Sequence, residues 1–107
     1  MRREDALIRE AWKALEEIHN MEIPMSIADV GMIRGVRAEG CRIEVDLTFA
    51  SMGSPGIEWT QEDVRKRLEA LAAVDRVDVN VVWFPPWRAA DLTPRGRQAL
   101  RALGVTP

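Results

Sequence analysis

One cysteine and one histidine are all that this chain of 107 residues has of the two residue types that most often hold soft metals. A lone Cys41 excludes an internal disulfide and fits a reducing compartment. A lone His19, with no second histidine and no cysteine near it in sequence, is read as a residue at a helix end, where its protonated form favours the dipole, rather than as a metal ligand. No apolar run approaches the roughly 20 residues of a membrane span. Met1-Arg2-Arg3-Glu4-Asp5 leads into an amphipathic pattern rather than an apolar leader. Charge of one sign is also missing. A formal net charge of −2 points to neither a polyanion nor a membrane surface. There is no basic glycine-rich clamp loop of the kind a KH-like nucleic-acid binder needs. Internal repeats, low-complexity runs and linkers are absent. The expectation is a single cytoplasmic domain over residues 1–107, with neither membrane nor nucleic acid as partner.

What is present is ordinary for a globular domain: 47% hydrophobic and 30% charged residues. Residues 4–19 read as a helix, with Ile8, Ala11, Trp12, Leu15 and Ile18 on one face. Asn20-Met21-Glu22-Ile23-Pro24 ends it, because Pro24 pushes Ile23 out of the helical region. The stretch on to Asp29 reads as a loop. Its carboxylates, Glu22 and Asp29, either cap and hydrogen-bond the loop or face a shared pocket.

Val30 to Ala38 reads as a strand weakened by Gly31 and Gly35. Glu39-Gly40 turns it into a hairpin. The second strand is the clearest element: Ile43, Val45, Leu47 and Phe49 alternate with Arg42, Glu44, Asp46 and Thr48, so one sheet face is covered and the other wet. A helix over 57–73 follows, with Ile57, Val64, Leu68, Leu71 and Ala72 as its stripe. Ser54 and Pro55 suit its N-cap and first position, and Thr60-Gln61-Glu62-Asp63 is a weaker second start. Arg65-Lys66-Arg67 reads as a solvated face.

Val77, Val79, Val81 and Trp83 mark a third strand. Phe84-Pro85-Pro86-Trp87 cannot continue a sheet and reads as extended polyproline-like chain. Thr93-Pro94 starts a last helix that runs to about Leu103 and stops at Gly104. Residues 88–107 carry Arg88, Arg95, Arg97 and Arg101 against Asp91 alone, a local positive excess suited to an acidic partner surface. The order α-β-β-α-β plus a C-terminal helix predicts an α+β, two-layer domain with a small three-stranded mixed sheet and helices on one face.

These motifs, in this order, resemble the PaaD-like and SufT-like iron–sulfur assembly domains, and the resemblance covers nearly the whole chain. The family's Asp-Pro-Glu-Ile turn corresponds to Asn20-Met21-Glu22-Ile23, where the last two residues match. Its Asp-Leu-Gly corresponds to Asp29-Val30-Gly31. Its Trp-(Asp)-Pro-Pro-Trp corresponds to Trp83-Phe84-Pro85-Pro86-Trp87. The family's Gly-Cys-Pro, at the turn from second strand to second helix, is Gly53-Ser54-Pro55 here.

That last difference is chemical. A thiol at a helix N-terminus has a lowered pKa and is a ready iron ligand. A serine hydroxyl is far less acidic and a poor cluster ligand, but it is a good N-cap, worth ~1 kcal/mol over alanine. Ser54 is therefore read as a cap rather than a ligand or a nucleophile. Cys41 does not replace the missing thiolate: nine strand residues put it roughly 30 Å from Ser54. It reads as a small residue near the hairpin turn.

The resemblance implies an accessory protein in iron–sulfur cluster or metallocentre assembly, not an enzyme, acting through protein contacts. It implies a family site lined by Glu22, Asp29, Thr48, Gly53, Ser54 and Pro55. Trp83, Pro85, Pro86 and Trp87 form either a rigid partner surface or packing for the C-terminal tail. No cofactor is expected on the isolated chain, and an iron–sulfur cluster would be transient cargo only. The protein partners implied are assembly machinery or, on the PaaD branch, a component of a multicomponent oxygenase that the chain joins or helps mature. A homodimer is allowed, and would let two Cys41 thiols meet. The remaining alternatives are a non-catalytic interaction module, and a hard-cation site built from Glu22, Asp29 and Ser54.

Overall fold

The computed structural model describes residues 3–19, 25–49, 53 and 56–104. Its elements are α1 (Arg3–Glu16), α2 (Ile27–Val30), β1 (Ile33–Glu39), β2 (Arg42–Leu47), α3 (Ile57–Glu69), β3 (Arg76–Val81), a 3-10 turn (Ala89–Asp91) and α4 (Pro94–Ala102). The expected α+β class and three-stranded mixed sheet are both present. The sheet order is β1-β2-β3, with β1 antiparallel and β3 parallel to β2.

The alternation in β2 decides the layers. Ile43, Val45 and Leu47 are fully buried beneath α1 and α3. Register carries the same face across the sheet, to Ala38 and Val36 on β1 and to Val77, Val79 and Val81 on β3. The opposite face is a charged lattice. Arg37 donates to Asp46 at 2.8 and 3.0 Å and to Glu44 at 3.1 Å, and Asn80 donates to both carboxylates. Arg42 pairs with Asp78 at 2.9 Å. Gly35 lies opposite Asp46, and a Cβ there would meet Arg37 Nη1 at 3.2 Å, so the missing side chain leaves room for the ion pair.

Several expectations need correction. The first helix ends at Glu16 rather than His19, because the Glu17 and Ile18 amides already donate three residues back. Its buried face is Leu7, Ala11 and Leu15, followed by Ile18, whereas Ile8 and Trp12 are half-buried. His19 is exposed and bridges Ser26 in an isolated β-pair. The stretch expected as a loop to Asp29 contains α2, capped by Ser26, whose Oγ accepts from the Ala28 amide at 3.0 Å. The first strand accordingly starts at Ile33, since Val30 and Gly31 finish that helix.

The second strand ends at Leu47, and the third at Val81. The second long helix runs Ile57–Glu69, and its N-cap position is Gly56, not Ser54; Ser54 and Pro55 lie outside the described residues. Its buried stripe is Thr60, Val64 and Leu68. Leu71 is half-buried and Ala72 exposed, because the helix stops before them. The chain bends at Phe84 and Pro85, so the aromatic-proline stretch is not a continuous polyproline helix. The 3-10 turn at Ala89–Asp91 had no sequence signal. Thr93 caps α4 as expected, its Oγ1 accepting from Gly96 N at 3.1 Å, and Gly104 follows the helix with φ +83°.

Candidate functional site

Thr48, Asp29 and the Trp83–Trp87 stretch converge on one end of the sheet, where the chain leaves β2. Thr48 directly follows β2 and is fully buried; its amide donates to the Met32 carbonyl at 2.8 Å. Among the described residues its hydroxyl has no hydrogen-bond partner. Leaving a buried hydroxyl unpaired costs about 1–3 kcal/mol. Phe49, next along, is buried, and its ring lies 6.4 Å from that of Trp83.

Asp29 sits on α2, but its side chain is occupied. Its carboxylate accepts from the Thr93 hydroxyl at 2.8 Å and from Arg95 Nε at 3.1 Å, and its carbonyl accepts from the Thr93 amide at 3.0 Å. Glu22, its expected companion, lies outside the described residues, as do Ser54 and Pro55. Gly53 is exposed.

Gly31 shows why the Asp29-Val30-Gly31 motif ends in glycine. Its φ is +83°, a left-handed helix cap, and an added Cβ would lie 2.2 Å from the Asp91 carbonyl oxygen. Gly96 serves the same packing from the other side, where a Cβ would lie 2.6 Å from the Asp29 carbonyl oxygen.

The aromatic-proline stretch divides into two parts. Trp83 and Trp87 are half-buried against the core, and the Trp87 indole N–H donates to the Val30 carbonyl at 2.7 Å. Pro85 and Pro86 are exposed beside Phe84, which is 86% exposed. Arg34 ties the stretch to β1. Its Nη2 donates to the Pro85 carbonyl at 2.9 Å and to Asp91 at 3.3 Å. Asp91 also accepts from the Arg88 amide. That bond and the nearby Arg34 and Arg88 hold its carboxyl below the usual carboxylate range. The expected positive excess at the C-terminal end is thus partly spent inside the fold: Arg95 pairs with Asp29, and Arg97 donates to the Ala90 carbonyl.

Cys41 lies at the other end of β2, in the hairpin turn after Gly40, whose φ is +61°. The thiol is half-buried, and Arg3 Nη2 donates to it at 3.2 Å. Between Cys41 and Thr48 runs all of β2, a span of about 20 Å. Among the described residues no three His, Cys, Asp or Glu side chains are grouped to hold a metal ion. No helix among them is long and apolar enough to cross a membrane.

Residues 8–81 match the family described as iron-sulfur cluster assembly protein. The chain belongs to this family. It is 31% identical over 103 residues to the Fe-S protein maturation auxiliary factor YitW of Bacillus subtilis, covering 95% of this chain and 98% of that one. It is 32% identical over 103 residues to an Escherichia coli protein provisionally named as one of the subunits of 1,2-phenylacetyl-CoA epoxidase, covering 94% of this chain but only 61% of that one. Among solved structures, a domain of unknown function from Bacillus anthracis superposes with a TM-score of 0.87 at 27% identity, over 92% of this chain and 94% of the other.

Three interactions at this end of the sheet were not read from the sequence. The Ser26 cap did have a signal, since Ser26-Ile27-Ala28-Asp29 has the serine-to-acid spacing of a helix start. Arg34 and the Trp87–Val30 bond had none, because each joins residues more than fifty positions apart.

Proposed function

We propose that this iron–sulfur assembly domain is an accessory factor in the maturation of iron–sulfur proteins, acting by binding protein partners and not holding a stable cluster itself. The observation that carries the reading is the family match over residues 8–81 with a serine, Ser54, where the resemblance expects the cysteine thiolate. A neutral hydroxyl is a weak ligand for cluster iron. The remaining thiol, Cys41, stands at the opposite end of β2 from Thr48. A cluster is cargo of the pathway in this reading. Exposed Phe84, Pro85 and Pro86, held on a base of half-buried Trp83 and Trp87, supply a firm apolar surface for a client or carrier.

Anaerobic reconstitution with iron and sulfide, followed by desalting, tests the cluster half of this reading. The unmodified protein is expected to retain no visible absorbance. A stoichiometric cluster that survives desalting overturns it. Pull-down from the native host with mass spectrometry tests the other half, with iron–sulfur assembly or recipient proteins as the expected captures.

A second reading is favoured by the likeness to the Escherichia coli epoxidase protein. The chain would then be a subunit or maturation accessory of a multicomponent oxygenase. In that case an oxygenase component co-purifies as the stable partner.

A further inference from the structure

Among the described residues, the outer edge of β3 is open. The order β1-β2-β3 leaves β3 paired on one side only. The Val82 amide donates to the Leu47 carbonyl, so in this parallel ladder the backbone groups of Asp78 and Asn80 turn toward β2, and those of Val77, Val79 and Val81 turn outward. Among the described residues nothing hydrogen-bonds to those outward groups. The strand has no proline, no bulge and no inward-pointing charge to block pairing, and its charged residues, Arg76 and Asp78, are engaged in ion pairs on the open sheet face. Its valines face the core layer, and Val79 and Val81 are half-exposed.

The sequence of this edge is close to a palindrome: Val77-Asp78-Val79-Asn80-Val81. We infer that the β3 edge is a docking surface for a second copy of this chain, pairing antiparallel about a two-fold axis through Val79. Such an interface is self-complementary by symmetry. With Val79 on the axis, Val77 faces Val81 of the second copy, and every outward N–H and C=O of the three valines finds a partner. Asp78 then lies opposite Asn80 of the second copy rather than another anion. Shifting the axis to Asp78 sets two carboxylates against each other and leaves Val81 unpaired. Shifting it to Asn80 leaves Val77 unpaired. Like charges directly opposite destabilise a pair, so charge and hydrogen bonding select the same register. The paired molecules share one continuous sheet, with the valines of both copies under the helical layer and the Arg42–Asp78 pairs on the open face.

Sedimentation equilibrium and amide exchange by NMR test this on the full chain. The expected mass at NMR concentrations is twice 12.1 kDa. The Val77, Val79 and Val81 amides should exchange slowly only as concentration rises, while Asp78 and Asn80 amides stay slow at every concentration. Val79→Pro removes an outward donor without touching the β2 ladder, so a folded, monomeric variant is expected. A wild type that stays monomeric, a dimer whose Val79 amide exchanges freely, or a folded Val79→Pro that still dimerises each overturns the inference. Should Val79→Pro fail to fold, the wild-type exchange pattern decides alone.

Discussion

Trp87 donates its indole N–H to the carbonyl oxygen of Val30 at 2.7 Å, joining two motifs that are 57 positions apart. The carbonyl belongs to the last residue of α2, where a helix has no further amide of its own to offer. Trp87→Phe keeps a ring against the core but leaves that buried carbonyl without its donor. The variant should lose about 1–3 kcal/mol of stability in denaturant unfolding. Amides of α4 should exchange faster, because Thr93 and Gly96 dock on the same short helix.

Gly31→Ala should cost more than Trp87→Phe. It places a side chain in the left-handed region and drives a Cβ into the backbone of Asp91. A loss above about 2 kcal/mol is expected, with the 3-10 turn displaced. Thermal unfolding followed by circular dichroism measures it.

Thr48→Val should go the other way. The hydroxyl is buried and has no partner among the described residues, and valine fills nearly the same shape. The variant should be more stable by about 1 kcal/mol in urea unfolding. A clear loss of stability would mean that the hydroxyl is held by a partner.

The charged lattice on the open sheet face sets a pH dependence. The Arg37 guanidinium, then the Asn80 amide, hold the Asp46 carboxyl below its ordinary range; for Glu44 the Asn80 amide acts first and Arg37 second. Arg37 is itself raised. Carboxyls lowered in the folded state stabilise it fully above their unfolded pKa, about 4, and lose that contribution as pH falls through the lower folded value. Removing Arg37 as Arg37→Gln therefore lowers stability at neutral pH. The gap between wild type and variant should close as pH drops below about 4. Both carboxylates are partly exposed, so added salt should narrow the same gap. Unfolding titrations at several pH values read both effects.

What could be read from the sequence was whatever is encoded within a few neighbours. The alternation from Ile43 to Leu47, the Glu39-Gly40 turn and the Thr93-Pro94 cap all depend on adjacent residues, and all appear in the fold. Leu7 was missed because α1 turns its face by one position relative to the Ile8–Trp12 stripe. The α2 helix was missed because four residues are too few for a periodic pattern, although Ser26 and Gly31 mark its two ends. Asp29 could be picked out as notable, but not bound to Thr93 and Arg95, because nothing local couples positions 29, 93 and 95.

The central claim is that the domain serves iron–sulfur maturation through contacts, with no thiolate of its own at the working site. Cys41→Ala leaves a chain without any thiol. The decisive measurement is the activity of iron–sulfur enzymes in a host lacking this chain, complemented with wild type or with Cys41→Ala. Loss of the chain should lower those activities, and both versions should restore them equally. An unimpaired deletion host, or a Cys41→Ala chain that accumulates normally yet restores nothing, would contradict the account.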